Sequence, residues 1–453
     1  MNSAERQVVV IGGSDAGVSA ALRIRELDHA ANVTILLKDD FPNWSVCGLP
    51  YYLSGETPDW RELAHRTEFD GIDILRRHVA KRIDPVAQTV AVAASTDTER
   101  LLSYSSLIIA TGAAPVQPDI PGMDLPRVHM LHTMGDALQV NRLLEDDPPS
   151  RSALIVGAGY IGLEMAEALV HRGLDVTVVS RAGTVFPTVD TPFGVAIGEE
   201  LQRNGVTLVT DCTIEAIERA KDRQRLQIRG SRDFHDVADL VLVATGVQPE
   251  SHLAAKAGAK LGTRGAIQVD RAMCTNVPNI LAAGDCAETW HRILRCPAYI
   301  PLGTTAHKQG RVAGETALGG NRLFAGSVGT QIVKLFELSI ARTGLLKREA
   351  ISAGFDPATV EMEAWDHKAY YPGARKLRLR IMGDRRTGQL LGAQILGPWG
   401  AEISKRIDIF AAALFHGMAV AELNDLDLSY APPFSSPWDP VQMVAQNWVA
   451  RRA

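Results

Sequence analysis

Apolar residues along this chain gather in short unbroken runs that end in glycine, and two of these runs share one layout. Val8-Val9-Val10-Ile11 passes into Gly12-Gly13-Ser14-Asp15-Ala16-Gly17, and Ala153-Leu154-Ile155-Val156 passes into Gly157-Ala158-Gly159-Tyr160-Ile161-Gly162. Each reads as strand, glycine turn and helix start. An amphipathic helix and a second apolar strand follow in both cases, over Val33 to Leu37 and over Val176 to Val179. Similar closing strands, Ser106 to Gly112 and Leu240 to Gly246, complete the two units. The repetition predicts two βαβ units and therefore two dinucleotide sites. Asn279 to Cys286 gives a further apolar strand ending in glycine and an acid, and Pro301 to Gly310 leads into a helix; both are expected to return to the first unit. From about Phe324 strands dominate, with the stretch Gly388 to Gly392 expected as a turn and helical runs near Ala401 to His416. The predicted fold class is α/β: two Rossmann-like dinucleotide-binding domains plus a C-terminal α+β domain that pairs two chains. The expected divisions are 1–122, 123–268, 269–323 and 324–453, with the third segment completing the first domain.

Composition narrows the function without choosing it. A chain of 453 residues suits several domains, and its apolar share of 46% and charged share of 22% are those of an ordinary globular protein. The net charge of -5 and the lack of any arginine-lysine run predict no nucleic-acid partner. Cys47, Cys212, Cys274, Cys286 and Cys296 show neither metal-ligand spacing nor a secreted disulfide framework, so no metal is expected and a reducing cytoplasm fits. The strand-like run at Val8 leaves no room for a leader, and no apolar stretch approaches the length of a membrane span, so no membrane partner is expected either.

In each glycine loop the missing side chains let backbone N–H groups and a helix N-terminus face a pyrophosphate. The second loop has Gly157, Gly159 and Gly162, with Tyr160, Ile161 and Glu164 beside them. The first has Gly12, Gly13 and Gly17, with Ser14 where a middle glycine is usual. Thr111-Gly112 and Gly246 end the closing strands over the same sites. The residue ending the second strand of such a unit receives the adenosine ribose, normally through an acid. In the second unit that position is Ser180, followed by Arg181. Loss of the acid removes repulsion of a 2′-phosphate and an arginine can pair with it, so NADPH is favoured over NADH. In the first unit the position is Leu37, with Lys38 the next residue.

One cysteine, Cys47, stands alone in Ser45-Val46-Cys47-Gly48-Leu49-Pro50-Tyr51-Tyr52 beyond the first loop, and Pro50 and Tyr52 occupy the positions where a resolving cysteine would fall. A lone thiolate cycles through a sulfenic acid, a persulfide or a mixed disulfide. The flanking sequence begins a possible helix, whose N-terminal dipoles would favour the thiolate. The other four cysteines read as structural.

The two loops, the Cys-Gly-Leu-Pro-Tyr run, the Ala-Gly-Asp segment, the Pro-Leu-Gly-Thr-Thr-Ala-His-Lys-Gln-Gly run and Tyr430-Ala-Pro-Pro-Phe434 together resemble the FAD-dependent pyridine nucleotide-disulfide oxidoreductases. The resemblance is nearest to the coenzyme A-disulfide reductases, with NADH oxidases, NADH peroxidases and persulfide reductases beside them, and it spans nearly the whole chain. It implies FAD and NADPH or NADH as cofactors. Asp285, after Gly284, would hold the FAD ribitol, Gly12, Gly13 and Gly17 its pyrophosphate, and Gly157, Gly159 and Gly162 the nicotinamide nucleotide. It also implies an obligate homodimer in which Tyr430, and Tyr370 or Tyr371, reach the partner's active site. The implied reaction is NAD(P)H-dependent reduction of a small disulfide, persulfide or other sulfur acceptor through Cys47. The alternatives are an oxidase or peroxidase working through a Cys47 sulfenic acid, and a flavin-bound redox sensor. Departures from the pattern matter. Asp15 stands where the peroxidases carry a histidine, which disfavours peroxide chemistry. Glu26, Val46 and Trp438 stand where the coenzyme A reductases tend to carry arginine, asparagine and lysine, leaving Arg23, Arg25, Arg76 and Arg77 as basic groups for an anionic thiol. No His-x-x-x-x-Glu pair is present, so tyrosine is expected to do the proton work.

Overall fold

The computed structural model describes residues 6–94, 99–146, 149–221 and 225–452. The two glycine-punctuated units fold into two five-stranded parallel sheets of corresponding order. In the first, Ile72–Leu75, Asn32–Leu36, Gln7–Ile11, Ser106–Ile109 and Ile280–Ala282 lie side by side. In the second the order is Thr207–Val209, Asp175–Val179, Ser152–Val156, Leu240–Val243 and Val128–His129. The fifth strand of the first sheet comes from far along the chain, as the apolar run at 279–286 predicts; that of the second precedes its own unit. Val8, Val9 and Val10 of the central strand are fully buried because helices Asp15–Leu27 and Gly303–Ala317 cover one face of the sheet and strands His78–Asp84 and Thr89–Ala94 cover the other. Each unit also carries a three-stranded antiparallel meander before its closing strand, so the duplication extends beyond the glycine loops.

Two small-residue contacts hold the site in shape. Helix Gly303–Ala317 packs on helix Asp15–Leu27 so closely that a Cβ on Gly310 would come within 2.2 Å of the Ala16 carbonyl oxygen, and one on Gly314 within 2.4 Å of that of Ala20. Where the chain passes between the sheets, Ala113–Pro115 pairs with Val247–Pro249, and the ties are reciprocal. Thr111 Oγ1 donates to the Glu250 carbonyl and Thr245 Oγ1 to the Val116 carbonyl.

The C-terminal region is a five-stranded antiparallel sheet, ordered Gln331–Leu335, Leu338–Gly344, Leu390–Pro398, Lys376–Asp384 and Pro357–Trp365, with helices Ile403–His416 and Pro440–Arg452 against it. The stretch expected as a turn at 388–392 is mostly strand: the reversal falls at 385–387, and Gly392 lies inside Leu390–Pro398. A Cβ there would meet the Leu345 carbonyl oxygen at 2.2 Å, so this glycine serves close backbone approach rather than a bend. A polar seam joins this sheet to the second nucleotide unit. Asp190 Oδ2 accepts from Arg380 Nε at 2.8 Å and from Gln394 Nε2 at 3.0 Å, while Arg342 Nη1 donates to the Thr188 carbonyl. No helix among the described residues is long and apolar enough to cross a membrane.

Candidate active site

The two glycine loops have matching backbones. Gly12 and Gly157 sit at φ +116° and +114°, and a Cβ on either would strike the carbonyl oxygen at the end of its closing strand, at 2.0 Å for Ala110 and 2.3 Å for Ala244. Gly17 and Gly162, one helical turn in, are pressed against the Gly12 and Gly157 carbonyls, each 2.0 Å from a hypothetical Cβ. Ser14 and Gly159 are the N-caps of helices Asp15–Leu27 and Tyr160–His171, and the Ser14 side chain makes no capping bond. In front of Gly159, Gly112 and Gly246 a Cβ would meet nothing within 4 Å, which leaves a cradle open before each helix N-terminus. Leu37 instead folds over Gly13, its Cδ1 lying 3.1 Å from where a Cβ would be. Lys38 beyond it is exposed, and its charge acts on His132 across the cleft.

Asp285 is placed by a residue whose role the sequence did not announce. The fully buried Gln309 accepts from Gly284 N at 2.9 Å through Oε1 and donates Nε2 to the Glu288 carbonyl at 3.0 Å, pinning the Gly284-Asp285 turn to helix Gly303–Ala317. Burial, with the charge of Asp15 second, pushes the Asp285 carboxyl up to about 6. The buried hydroxyl of Tyr299 beside it has no hydrogen-bond partner. Open cradles, helix N-termini and polar groups awaiting partners fit a flavin dinucleotide in the first unit and a nicotinamide dinucleotide in the second.

Cys47 lies in the short 3₁₀ turn Val46–Gly48, directly before helix Leu49–Ser54, an exposed residue whose sulfur is crowded by the cleft walls, while Cys212 and Cys286 are buried. The expected thiolate stabilisation at a helix start does not prevail. Crowding by the cleft walls pushes the thiol up from its ordinary value, and Glu164, Asp15 and Asp285 add to this through their charges. A helix of six residues offers little dipole against three carboxyls. Those carboxyls come from both nucleotide units, so the sulfur sits where the units meet. Glu164 is itself pushed up to about 7 by burial and by Glu167. Tyr51, which ends the Cys-Gly-Leu-Pro-Tyr run, shares the groove with Glu164, and burial together with the nearby acids raises its hydroxyl to about 12. At the groove's end Glu56, Glu167 and His171 bring ligand-type atoms within 4.8 Å of one another, and the Lys334 ammonium pairs with Glu167 and reaches Glu56 at 3.9 Å.

The remaining predicted residues divide between places. Tyr160 turns its hydroxyl to Gln331 and packs edge-on against Phe186, and Ile161 is half-buried beside it. Ser180 is buried with Oγ donating to the Thr184 carbonyl at 3.2 Å, and Arg181 next to it is exposed. Tyr370, Tyr371 and Tyr430 are exposed together on the C-terminal region, with Phe434 and Trp438. The arginines expected to serve an anionic thiol are mostly engaged. Arg23 pairs with Glu315 and Glu26, Arg25 donates to the His29 and Ala31 carbonyls, and Arg77 pairs with Asp40. Glu26 also takes Arg311, and the two arginines hold its carboxyl down at about 2.

Residues 6–310 match the pyridine nucleotide-disulphide oxidoreductase family and residues 330–440 the dimerisation domain of the same family. The chain belongs to this family of flavin-dependent NAD(P)H oxidoreductases. Among curated relatives it is 35% identical to an NAD(P)H sulfur oxidoreductase (CoA-dependent) from Pyrococcus furiosus, over 98% of this chain and 99% of that protein. It is 32% identical to a coenzyme A disulfide reductase from Staphylococcus haemolyticus, over 97% and 98%. The solved structure of an NAD-dependent persulfide reductase from A. fulgidus superposes with a TM-score of 0.94 at 37% identity, over 98% of this chain and 83% of that one.

Proposed function

We propose that this chain uses NAD(P)H to reduce a low-molecular-weight disulfide of the coenzyme A type, or a persulfide, on the single sulfur of Cys47. The observation that carries this reading is the position of Cys47: an exposed residue in the cleft, without a second cysteine in its turn, and within electrostatic reach of carboxyls from both nucleotide units. When bound, FAD supplies a two-electron relay between nicotinamide and sulfur. Gly12, Gly13, Ser14 and Gly17, with Thr111-Gly112, Lys38 and Asp285, hold that cofactor; Gly157, Gly159, Tyr160, Ile161, Gly162, Glu164 and Gly246 hold the nicotinamide nucleotide. Cys47 attacks the substrate disulfide, forms a mixed disulfide and expels the first thiolate. Two electrons then cleave that bond, freeing the second thiolate and restoring Cys47, so that one NAD(P)H and one proton are consumed for two thiols. Because crowding first and the charges of Glu164, Asp15 and Asp285 second raise the Cys47 thiol, a neighbouring group accepts its proton on attack and returns one to the leaving thiolate. Tyr430 and Tyr370 or Tyr371 from a second copy fill that role in a homodimer joined through residues 324–453, while 1–122 with 269–323 and 123–268 form the two nucleotide domains. Ser180-Arg181, with an exposed guanidinium and no acid at the ribose position, favours NADPH.

The test is turnover of coenzyme A disulfide with NADPH and with NADH by the FAD-loaded enzyme and by Cys47→Ser. The variant is expected to keep FAD and its bleaching by NADPH but to lose disulfide reduction by at least about a thousandfold. Full retention of disulfide reduction by Cys47→Ser would overturn the reading. A higher kcat/KM with NADH than with NADPH would overturn the nucleotide preference alone.

A further inference from the structure

We infer that Lys334 and Glu167 are a positioning pair for hydride transfer: the C-terminal sheet reaches through Lys334 into the cleft between the nucleotide units and, by holding Glu167 ionised beside Glu164, governs whether Glu164 meets the nicotinamide ring neutral or charged. This rests on the function proposed above, which gives Glu164 to the nicotinamide nucleotide. Glu164, Glu167 and His171 fall at i, i+3 and i+7 of helix Tyr160–His171, so they form one polar stripe on a helix whose Leu163, Met165, Ala166 and Leu169 are buried. Across the groove from that stripe lie Tyr51 and Glu56, on and just beyond the helix that follows Cys47. Glu167 is only 6% exposed, a carboxylate too deep to stay charged alone, and the Lys334 ammonium donates to it. Lys334 also reaches Glu56 Oε1 at 3.9 Å, and His171 Nδ1 lies 3.6 Å from the same oxygen. The positive charge among Glu56, Glu167 and His171 is thus the protein's own. Strand Gln331–Leu335 delivers it, since Val333 and Leu335 on either side of Lys334 share a core with Leu163 and Leu169.

The titratable groups around Glu164 are Tyr160, Glu167 and His171 on its own helix, Cys47 and Tyr51 on the segment opposite, and Glu56 with Lys334 at the groove's end. Burial raises the Glu164 carboxyl, and the charge of Glu167 adds to this. Lys334 acts one step back. Without its ammonium, Glu167 is a buried carboxylate with no partner; it takes up a proton and no longer opposes a charge on Glu164. The consequence falls on the nucleotide, whose nicotinamide ring is neutral before it gives up a hydride and cationic afterwards. A charged carboxylate beside the ring favours the cation and hence the transfer, whereas a neutral carboxyl favours departure of the oxidised nucleotide. A pair that holds Glu164 close to the balance between its two forms serves both steps.

The experiment measures the dissociation constants of NADP+ and NAD+ for the FAD-loaded protein across about pH 5 to 9, by spectral titration without turnover. Glu164→Gln gives the baseline, because it keeps any titration of the nucleotide's own phosphate and loses that of the carboxyl. Relative to that baseline, wild type is expected to bind the oxidised nucleotide more tightly above about 7 than below it. In Glu167→Gln and in Lys334→Met the inflection is expected about one pH unit lower, in the double variant no lower than in either, and in Lys334→Arg unmoved. Glu167→Gln keeps the shape of the pair and an oxygen to accept from Lys334, so a shift there reports charge rather than packing. An inflection that stays put in Glu167→Gln or in Lys334→Met overturns the inference, as does one that Lys334→Arg moves as far as Lys334→Met. A wild-type profile identical to that of Glu164→Gln overturns it too while leaving the function standing. Failure of wild type to bind either nucleotide overturns the function itself.

Discussion

The charges that act on Cys47 come from residues far apart in the sequence. Glu164 is 117 positions away yet is the leading charged neighbour that raises the thiol, after the crowding of the sulfur itself. Its own carboxyl titrates at about 7, so its effect on Cys47 is present above that pH and fades below it. Replacing it with an uncharged isostere removes a repulsion between two negative groups and lowers the thiol pKa. In Glu164→Gln the pH midpoint for alkylation of Cys47 by iodoacetamide is therefore expected to move down, with a severalfold faster rate near pH 8. An unchanged profile would show that crowding alone sets the thiol. At this scale the sequence singled out Cys47 as the candidate reacting atom, because the single cysteine and the missing resolving partner are local facts. It did not show Glu164 as the neighbour, since that depends on how one helix of the second unit lies over the first.

Between helices the decisive contact is Gly303–Ala317 on Asp15–Leu27. The carbonyls of Ala16 and Ala20 take the space where Gly310 and Gly314 would carry side chains, and Ala16 adjoins Gly17 of the pyrophosphate cradle. A methyl group at Gly310 meets backbone rather than a flexible side chain, so relief requires the helices to separate. Gly310→Ala is expected to cost about 2 kcal/mol or more and to weaken FAD retention, read as a lower Tm and a smaller flavin content after gel filtration. Normal flavin content and Tm would show that the helix pair can part without disturbing the cradle. The run containing Gly310 signals a helix and a return to the first unit, and the strand Ile280–Ala282 does join that sheet. The tasks of Gln309 and Gly310 were hidden, because a buried glutamine and a glycine in a helix acquire meaning only against the partner helix. The stretch 388–392 failed as a turn for a related reason: Gly392 answers the backbone of Leu345 across the sheet.

Across the whole molecule, the seam at Asp190 couples the second nucleotide unit to the C-terminal sheet. Asp190 and Arg380 are nearly buried, and Gln394 Nε2 and the Lys347 backbone N–H also donate to the carboxylate. Removing the carboxylate leaves Arg380 with Glu361 at 3.1 Å as its remaining partner. Asp190→Ala is expected to cost about 2 to 3 kcal/mol and to split calorimetric unfolding into separable transitions; one transition at the original Tm would show that the seam carries no coupling. The sequence by itself determined the duplicated units and the family, and singled out the candidate sulfur, because unbroken apolar runs, glycine loops and a lone cysteine are patterns read within a few residues of one another. Only the tertiary structure decided which charges surround that sulfur, which arginines are already engaged, and that Lys368 lies near the rings of Tyr430 and Trp438. Those outcomes depend on the distances between side chains brought together from distant segments, and electrostatic energy follows those distances rather than sequence order.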